Sequence, residues 1–495
     1  MPAQFDLVIR NGSVIDGTGA PSRSADVAVR GDRIVAVGVV RGNGGVEVDA
    51  RGLAVAPGFI DVHTHDDWAV FTAPEMDFKT MQGVTTDVVG NCGLGAAPNP
   101  AATAMFAFLH PKAKVPEWTD YRGYLDAIDR EPPSLNVAVL AGHGTMRLAA
   151  MGTANREPDA RELSSMCKWT SEAVEAGAVG LSTGLIYEPG RYAKTEEIIE
   201  LAQQMRGSGA IYASHMRDEG EYLLEAVSET IRIGEEAGVA VQISHHKASD
   251  ERNWGKVKQS LELIEKARAR GVNVTADQYP YTSGSTGLSA VMQNGAFDPS
   301  SKGTFRHLPP ESVRLASVAK HPEYEARTIK ELCNEARLTP MEIAKKILGD
   351  DPGATVILEM MSEDDVRAVM RHPTTMIGSD GIPSAGKPHP RLYGTFPRVL
   401  GRYARDLKLM PLEEAVYRMT GMSAAKFHLK DRSVIREGAF ADLVVFDPAK
   451  IIDTGSYAEP RRYPDGIRDV FVNGTAVVRG GAHTHARPGR AIRRG

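Results

Sequence analysis

The chain has 495 residues, 42% of them hydrophobic and 24% charged, with a formal net charge of −5. That length can bury a large core and hold two or three domains or one large barrel with an appendage, and the mildly acidic balance leaves no basic footprint for nucleic acid. No apolar run approaches the roughly 20 residues that cross a bilayer, and three cysteines (Cys92, Cys167 and Cys333) are too few for a disulfide framework. The opening Met-Pro-Ala-Gln-Phe-Asp lacks a charged segment followed by an apolar core, so no secretory leader is expected and the cytoplasm is the expected compartment.

Residues 1–57 read as short strands joined by turns. Asp6–Arg10 runs into Asn11-Gly12, and Ala25–Val29 is followed by Gly31-Asp32 and Arg33–Val37, which is hairpin punctuation between β-branched runs. Leu53–Ile60 reads as one buried strand that stops at His63 and His65. Residues 431–495 repeat the β-rich texture in Gly438–Phe446 and in Val470–Val478, so a small β-sandwich domain built from both termini is expected.

The middle, residues 58–430, alternates short apolar runs with helical stretches such as Glu196–Arg206, Tyr222–Gly238 and Val257–Arg270. Candidate strands end at His63, Asn91-Cys92, Gly142-His143, Leu181-Ser182, His215, His245, Tyr279 and Asp380. Eight such units predict an α/β fold, a (β/α)8 TIM-like barrel, which ordinarily needs about 250 residues. The excess lies in residues 282–355, a Ser/Gly/Pro-rich stretch leading into a helical segment at Glu323–Leu348. An insertion that long between strands 7 and 8 reads as a lid over the barrel mouth.

Barrels of this kind build their sites at the C-terminal strand ends. The residues found there are His63 and His65 on strand 1, Cys92 on strand 2, His215 on strand 5, His245 on strand 6 and Asp380 on strand 8. Imidazole, thiolate and carboxylate form the zinc ligand set. Alternate side chains of a strand share a face, so His63 and His65 project together. His245 is taken as the inward member of the His245-His246 pair, and the charged run after His215 as the barrel rim. Asp380 suits a base or a ligand. Ala482-His483-Thr484-His485 repeats the His-x-His pattern, but it follows no buried strand and leads into what reads as a mobile tail, so it is set aside.

These residues resemble the amidohydrolase superfamily. The segments Gly90-Asn91-Cys92-Gly93, Ser214–Gly220, Ser244-His245-His246-Lys247, Gly378-Ser379-Asp380-Gly381 and His389–Arg398 are similar, within it, to the N-acyl-D-amino-acid deacylases (D-aminoacylases) over nearly the whole chain. The resemblance implies a tight zinc (Zn2+) on Cys92, His215 and His245. It also implies a weaker second position at His63, His65 and Asp380, with Asp380 as general base and acid. It further implies that Lys247, Tyr279 and Arg391, with Ser285 nearby, bind the carboxylate of a small-molecule N-acyl-D-amino acid. No nucleic-acid or membrane partner is expected, and the oligomeric state is left open.

A cyclic-amide hydrolase like dihydroorotase or hydantoinase is the alternative, but its bridging lysine on strand 4 is missing from Gly180-Leu181-Ser182-Thr183-Gly184. A deaminase ranks third, because His245-His246-Lys247 presents no adjacent glutamate. A non-catalytic scaffold would be expected to lose ligands, and the full set is present. Tyr281–Ser301 contains no Lys or Arg but does contain Leu288, Val291, Met292 and Phe297, so neutral or hydrophobic side chains are the expected preference.

Overall fold

The computed structural model describes residues 3–106, 114–298 and 300–494; Met1 and Pro2, part of the N-terminus read above for a leader, lie outside them. Eight parallel strands make the central sheet: β1 (Phe59–Asp61), β2 (Val84–Val89), β3 (Asn136–Gly142), β4 (Gly180–Gly184), β5 (Ile211–His215), β6 (Val241–Ile243), β7 (Val274–Gln278) and β8 (Thr375–Ile377). Every residue of these strands is buried. A parallel sheet covered on both faces buries its strands in this way, the polar residues of β2, β4, β5 and β7 included. The strands pair in chain order from β1 to β8. Among the described residues no ladder joins β8 to β1. The seam is closed beyond the strand ends, where Asp380 N donates to His63 O (2.7 Å) and His65 N to Gly381 O (3.2 Å).

The two termini share a nine-stranded sheet, joined where Ala54–Pro57 pairs antiparallel with Leu443–Phe446. The expected single strand Leu53–Ile60 is therefore two. Ala54–Pro57 belongs to the terminal sheet and Phe59–Asp61 to the barrel, and the chain crosses between them at Gly58. A Cβ at Gly58 would lie 2.2 Å from the Thr85 side chain, so only glycine allows the crossing.

The C-terminal tail is not loose. Ala482–His483 pairs with Thr475–Arg479. Ala491 then bridges Val137 near the start of β3, and Ile492 packs with Val62, Leu140, Ile211 and Phe427 in one apolar cluster.

Residues of the insertion form a three-stranded antiparallel sheet, Ser283–Gly287, Thr355–Glu359 and Val313–Ser317. It has its own core of Leu288, Val291, Leu315, Ile329, Ile343, Val356 and Leu358. The expected helical stretch Glu323–Leu348 is two helices, Ile329–Ala336 and Pro340–Asp350. The break has a local cause: Thr339 caps the second helix in a reciprocal capping box with Glu342, and Pro340 occupies its first turn. Among the described residues no helix is long and apolar enough to cross a membrane.

Candidate metal centre

Six side chains converge at the C-terminal mouth. Cys92 Sγ lies 3.6 Å from His215 Nδ1, 3.6 Å from His245 Nε2 and 3.3 Å from His63 Nε2. Asp380 Oδ1 lies 3.1 Å from His65 Nε2 and 3.5 Å from His63 Nε2. Ligands of a tetrahedral zinc, bound at about 2.0–2.3 Å, stand roughly 3.3–3.6 Å apart. The two groups Cys92/His215/His245 and His63/His65/Cys92/Asp380 therefore fit two metal positions with Cys92 common to both.

The backbone is bent to achieve this. Cys92 (φ 54°), His245 (φ 35°) and Asp380 (φ 50°) all adopt the left-handed conformation that side chains disfavour. Close approach completes the arrangement. A Cβ at Gly184 would sit 2.1 Å from Cys92 O, and one at Gly378 2.6 Å from His63 Cβ.

Electrostatics favour the ligating forms of Cys92 and Asp380, while, against burial, the same anions raise His63, His245 and His65 (to about 9), so these imidazoles release protons when a metal binds. Burial alone would raise the Cys92 thiol, but His63, His215 and His245 outweigh it and hold the group well below its ordinary value, as thiolate. Burial likewise opposes ionisation of Asp380, and Arg391, His245, His63 and His65 reverse that, so it stays a carboxylate. His246 faces away, its Nε2 2.8 Å from Ser260 Oγ, and burial pushes it down to about 4, so it is neutral.

The charged run after His215 is mixed: Arg217 and Asp218 are half-buried at the rim, while Glu219 turns inward. Glu219 is 2% exposed, and its Oε1 lies 3.0 Å from His245 Nδ1 and 2.5 Å from Lys247 Nζ, while Oε2 lies 3.9 Å from His215 Nε2. Asp277, on β7, is equally hidden. Its Oδ1 accepts the His245 N–H at 2.7 Å and lies 3.2 Å from His63 Nδ1. Both carboxylates orient imidazoles from behind, as partners of metal-bound histidines commonly do. Sequence reasoning missed both; the i, i+2 spacing of Asp277 with Tyr279, one residue past the end of β7, was the available signal for one of them.

The expected carboxylate-binding cations are also not open charges. Lys247 is paired with Glu219, and Arg391 Nη2 lies 2.9 Å from Asp380 Oδ2 and 3.3 Å from Ser285 O. Arg391 still has Nε and Nη1 without hydrogen-bond partners, as has the Tyr279 hydroxyl, and its guanidinium lies 4.4 Å over the Tyr279 ring. Buried donors left in this state are ready for an anion.

The cavity above the centre has a volume of about 270 Å³ and is lined by His65, Cys92, Asp380 and Ser285 together with Leu94, Met105, Glu188 and Ile382. Leu288 and Val291, expected near the substrate, are buried in the insertion's own core, with Met292 and Phe297 packed against it. Glu75, His483 and His485 form a third cluster. There His483 Nδ1 accepts the His485 N–H at 3.1 Å, which leaves its proton on Nε2 and no lone pair for a metal.

A family model described as "Amidohydrolase family" matches residues 46–478. A D-aminoacylase from Alcaligenes xylosoxydans xylosoxydans is 42% identical over 99% of this chain and 98% of its own. A crystal structure of D-aminoacylase superposes with a TM-score of 0.90 at 42% identity, covering 99% of this chain and all (100%) of that one. The N-acyl-D-glutamate deacylase from Bordetella bronchiseptica, solved with zinc and a phosphonate mimic of the tetrahedral intermediate, gives 0.89 at 39% identity over 99% of both chains. The chain therefore belongs to the amidohydrolase family, in its branch of N-acyl-D-amino-acid deacylases.

Proposed function

We propose that the protein hydrolyses the amide bond of N-acyl-D-amino acids, releasing a carboxylate and the free amino acid, with neutral and apolar side chains preferred. The observation that carries this reading is the meeting of a Cys/His/His donor set, an ionised aspartate and unpartnered Arg391 and Tyr279 donors in one buried mouth. The D configuration rests on similarity to relatives named for it.

Cys92, His215 and His245 would hold the tight zinc, and His63, His65 and Asp380 a weaker second ion. Zinc bound there supplies Lewis acidity toward the amide carbonyl and a more acidic water. The chain's own residues do the rest. Arg391 Nε and Nη1 and the Tyr279 hydroxyl, with Lys247 behind them, take the substrate α-carboxylate and fix the scissile amide over the centre. Asp380 removes the proton of the attacking water and then delivers it to the departing nitrogen.

Glu219→Gln is expected to keep the fold yet weaken the tight zinc by about 10–100-fold in a chelator competition, because His245 loses its orienting carboxylate. Unchanged zinc retention would remove Glu219 from this role.

Side-chain preference follows from the wall. Among the described residues the cavity lining has no Lys or Arg and does have Glu188, beside the apolar Leu94, Met105 and Ile382. An acidic substrate side chain finds a like charge and no partner there. N-acetyl-D-methionine should exceed N-acetyl-D-glutamate in kcat/KM by about tenfold or more, and Glu188→Gln should narrow the gap. A preference for the glutamate would contradict this. Cys92, Cys167 and Cys333 are free, which suits a reducing compartment, and we place the enzyme in the cytoplasm.

A further inference from the structure

We propose that Lys79, acting through Asp61 and Ser379, is a positioning residue that holds Asp380 and His63 together across the open seam of the barrel. The proposal rests on the reading of Asp380 as the proton-transferring group.

The seam between β8 and β1 is the one interval of the barrel without a strand ladder among the described residues. It is also where the reacting carboxylate sits. What crosses it is a buried ionic clamp. Lys79, fully buried on the short helix Asp77–Thr80, donates from Nζ to Asp61 Oδ2 (2.5 Å) and to Ser379 Oγ (2.8 Å), with Asp66 Oδ2 at 3.3 Å. Asp61 closes β1, and its two oxygens reach both sides of the seam. Oδ1 accepts the Ser379 N–H (2.8 Å) and the His63 N–H (3.3 Å), while Oδ2 accepts the Ser379 hydroxyl (2.5 Å). Ser379 Oγ in turn accepts the Gly381 N–H at 3.1 Å. Asp380, flanked by two anchored residues, is thereby kept in its left-handed conformation with its carboxylate toward His63 and His65.

Burial works against the Lys79 ammonium, and Asp61, Asp66 and Asp87 more than reverse it, so the clamp is charged. A buried ammonium adds little net stability over a well-packed apolar pair. Its placement at the one unladdered seam, one residue from Asp380, points instead to geometry. A displacement of about 1 Å in a reacting group can cost on the order of 10²-fold in rate.

The test compares Asp61→Leu/Lys79→Met with Ser379→Ala in the zinc-loaded enzyme. The double variant removes the Lys79–Asp61 pair together, but the buried Asp66 carboxylate, 3.3 Å from Lys79, loses its cation with it, so the folded fraction is measured alongside the kinetics. It is expected to melt below wild type on account of Asp66, yet per folded molecule to keep its tight zinc and its KM, while kcat falls on the order of 10²-fold. Ser379→Ala, a single small deletion, is expected to lose about tenfold in kcat with KM and zinc unchanged. Wild-type kcat in either variant, or a kcat loss that only tracks the fraction unfolded, overturns the proposal. Absence of deacylase activity in the wild type would instead overturn the reading on which it rests.

Discussion

Asp380→Asn is expected to lower kcat by roughly 10³-fold, within the range that general acid–base groups contribute, while the tight zinc stays bound. Asparagine preserves the shape of the side chain, and the donors assigned to the tight zinc, Cys92, His215 and His245, do not include Asp380. What is lost is an acceptor for the water proton and a donor for the leaving nitrogen. Arg391, which now faces the Asp380 carboxylate at 2.9 Å, keeps its free Nε and Nη1 for the substrate, so KM should change far less than kcat. Steady-state kinetics with zinc quantified on the same sample decides the matter. Loss of zinc in this variant would make Asp380 chiefly a ligand; an unchanged kcat would remove it from proton transfer.

Cys92→Ala is expected to abolish both activity and stoichiometric zinc. The thiolate is the group common to both candidate metal positions, lying 3.3–3.6 Å from three imidazoles, His215 at the end of β5, His245 just after β6 and His63 just after β1. Without it, the remaining histidines His215 and His245 offer two neutral donors, one fewer than the three protein ligands usual for a catalytic zinc. Removal should show as metal released on dialysis, against the one tightly held zinc per chain proposed for the wild type. Retention of that zinc would refute the ligand role.

The path from sequence to site was direct wherever a chemically distinctive residue ended an apolar run. His63, His65, Cys92, His215, His245 and Asp380 are each of that kind, and the mouth of the barrel brings all six together. The residues behind them were not legible. Glu219 sits in a charged run that looks solvated, yet pairing with Lys247 and two imidazoles lets it be buried. Lys79 gives no local sign of its surroundings, because its partner Ser379 lies 300 residues away. The cost of burying a charge is offset only by partners that the fold supplies, and single-chain patterns do not encode them.

Eight βα units follow from alternating periodicity. The split of Leu53–Ile60 at Gly58 follows from a steric contact with Thr85 that no periodicity reports. The substrate wall is instructive in the same way: Leu288 and Val291 lie in the insertion's core, and the preference proposed above rests on Leu94, Met105, Ile382 and Glu188 instead.

The most direct test of the account is hydrolysis of paired N-acyl-D- and N-acyl-L-amino acids, methionine and glutamate among them, with zinc measured on the same protein. The account predicts release of the free amino acid from the D substrates, fastest for the apolar side chain, lost on chelation and restored by zinc. Full zinc occupancy without amide hydrolysis, or hydrolysis that persists undiminished after the metal is removed, would contradict it.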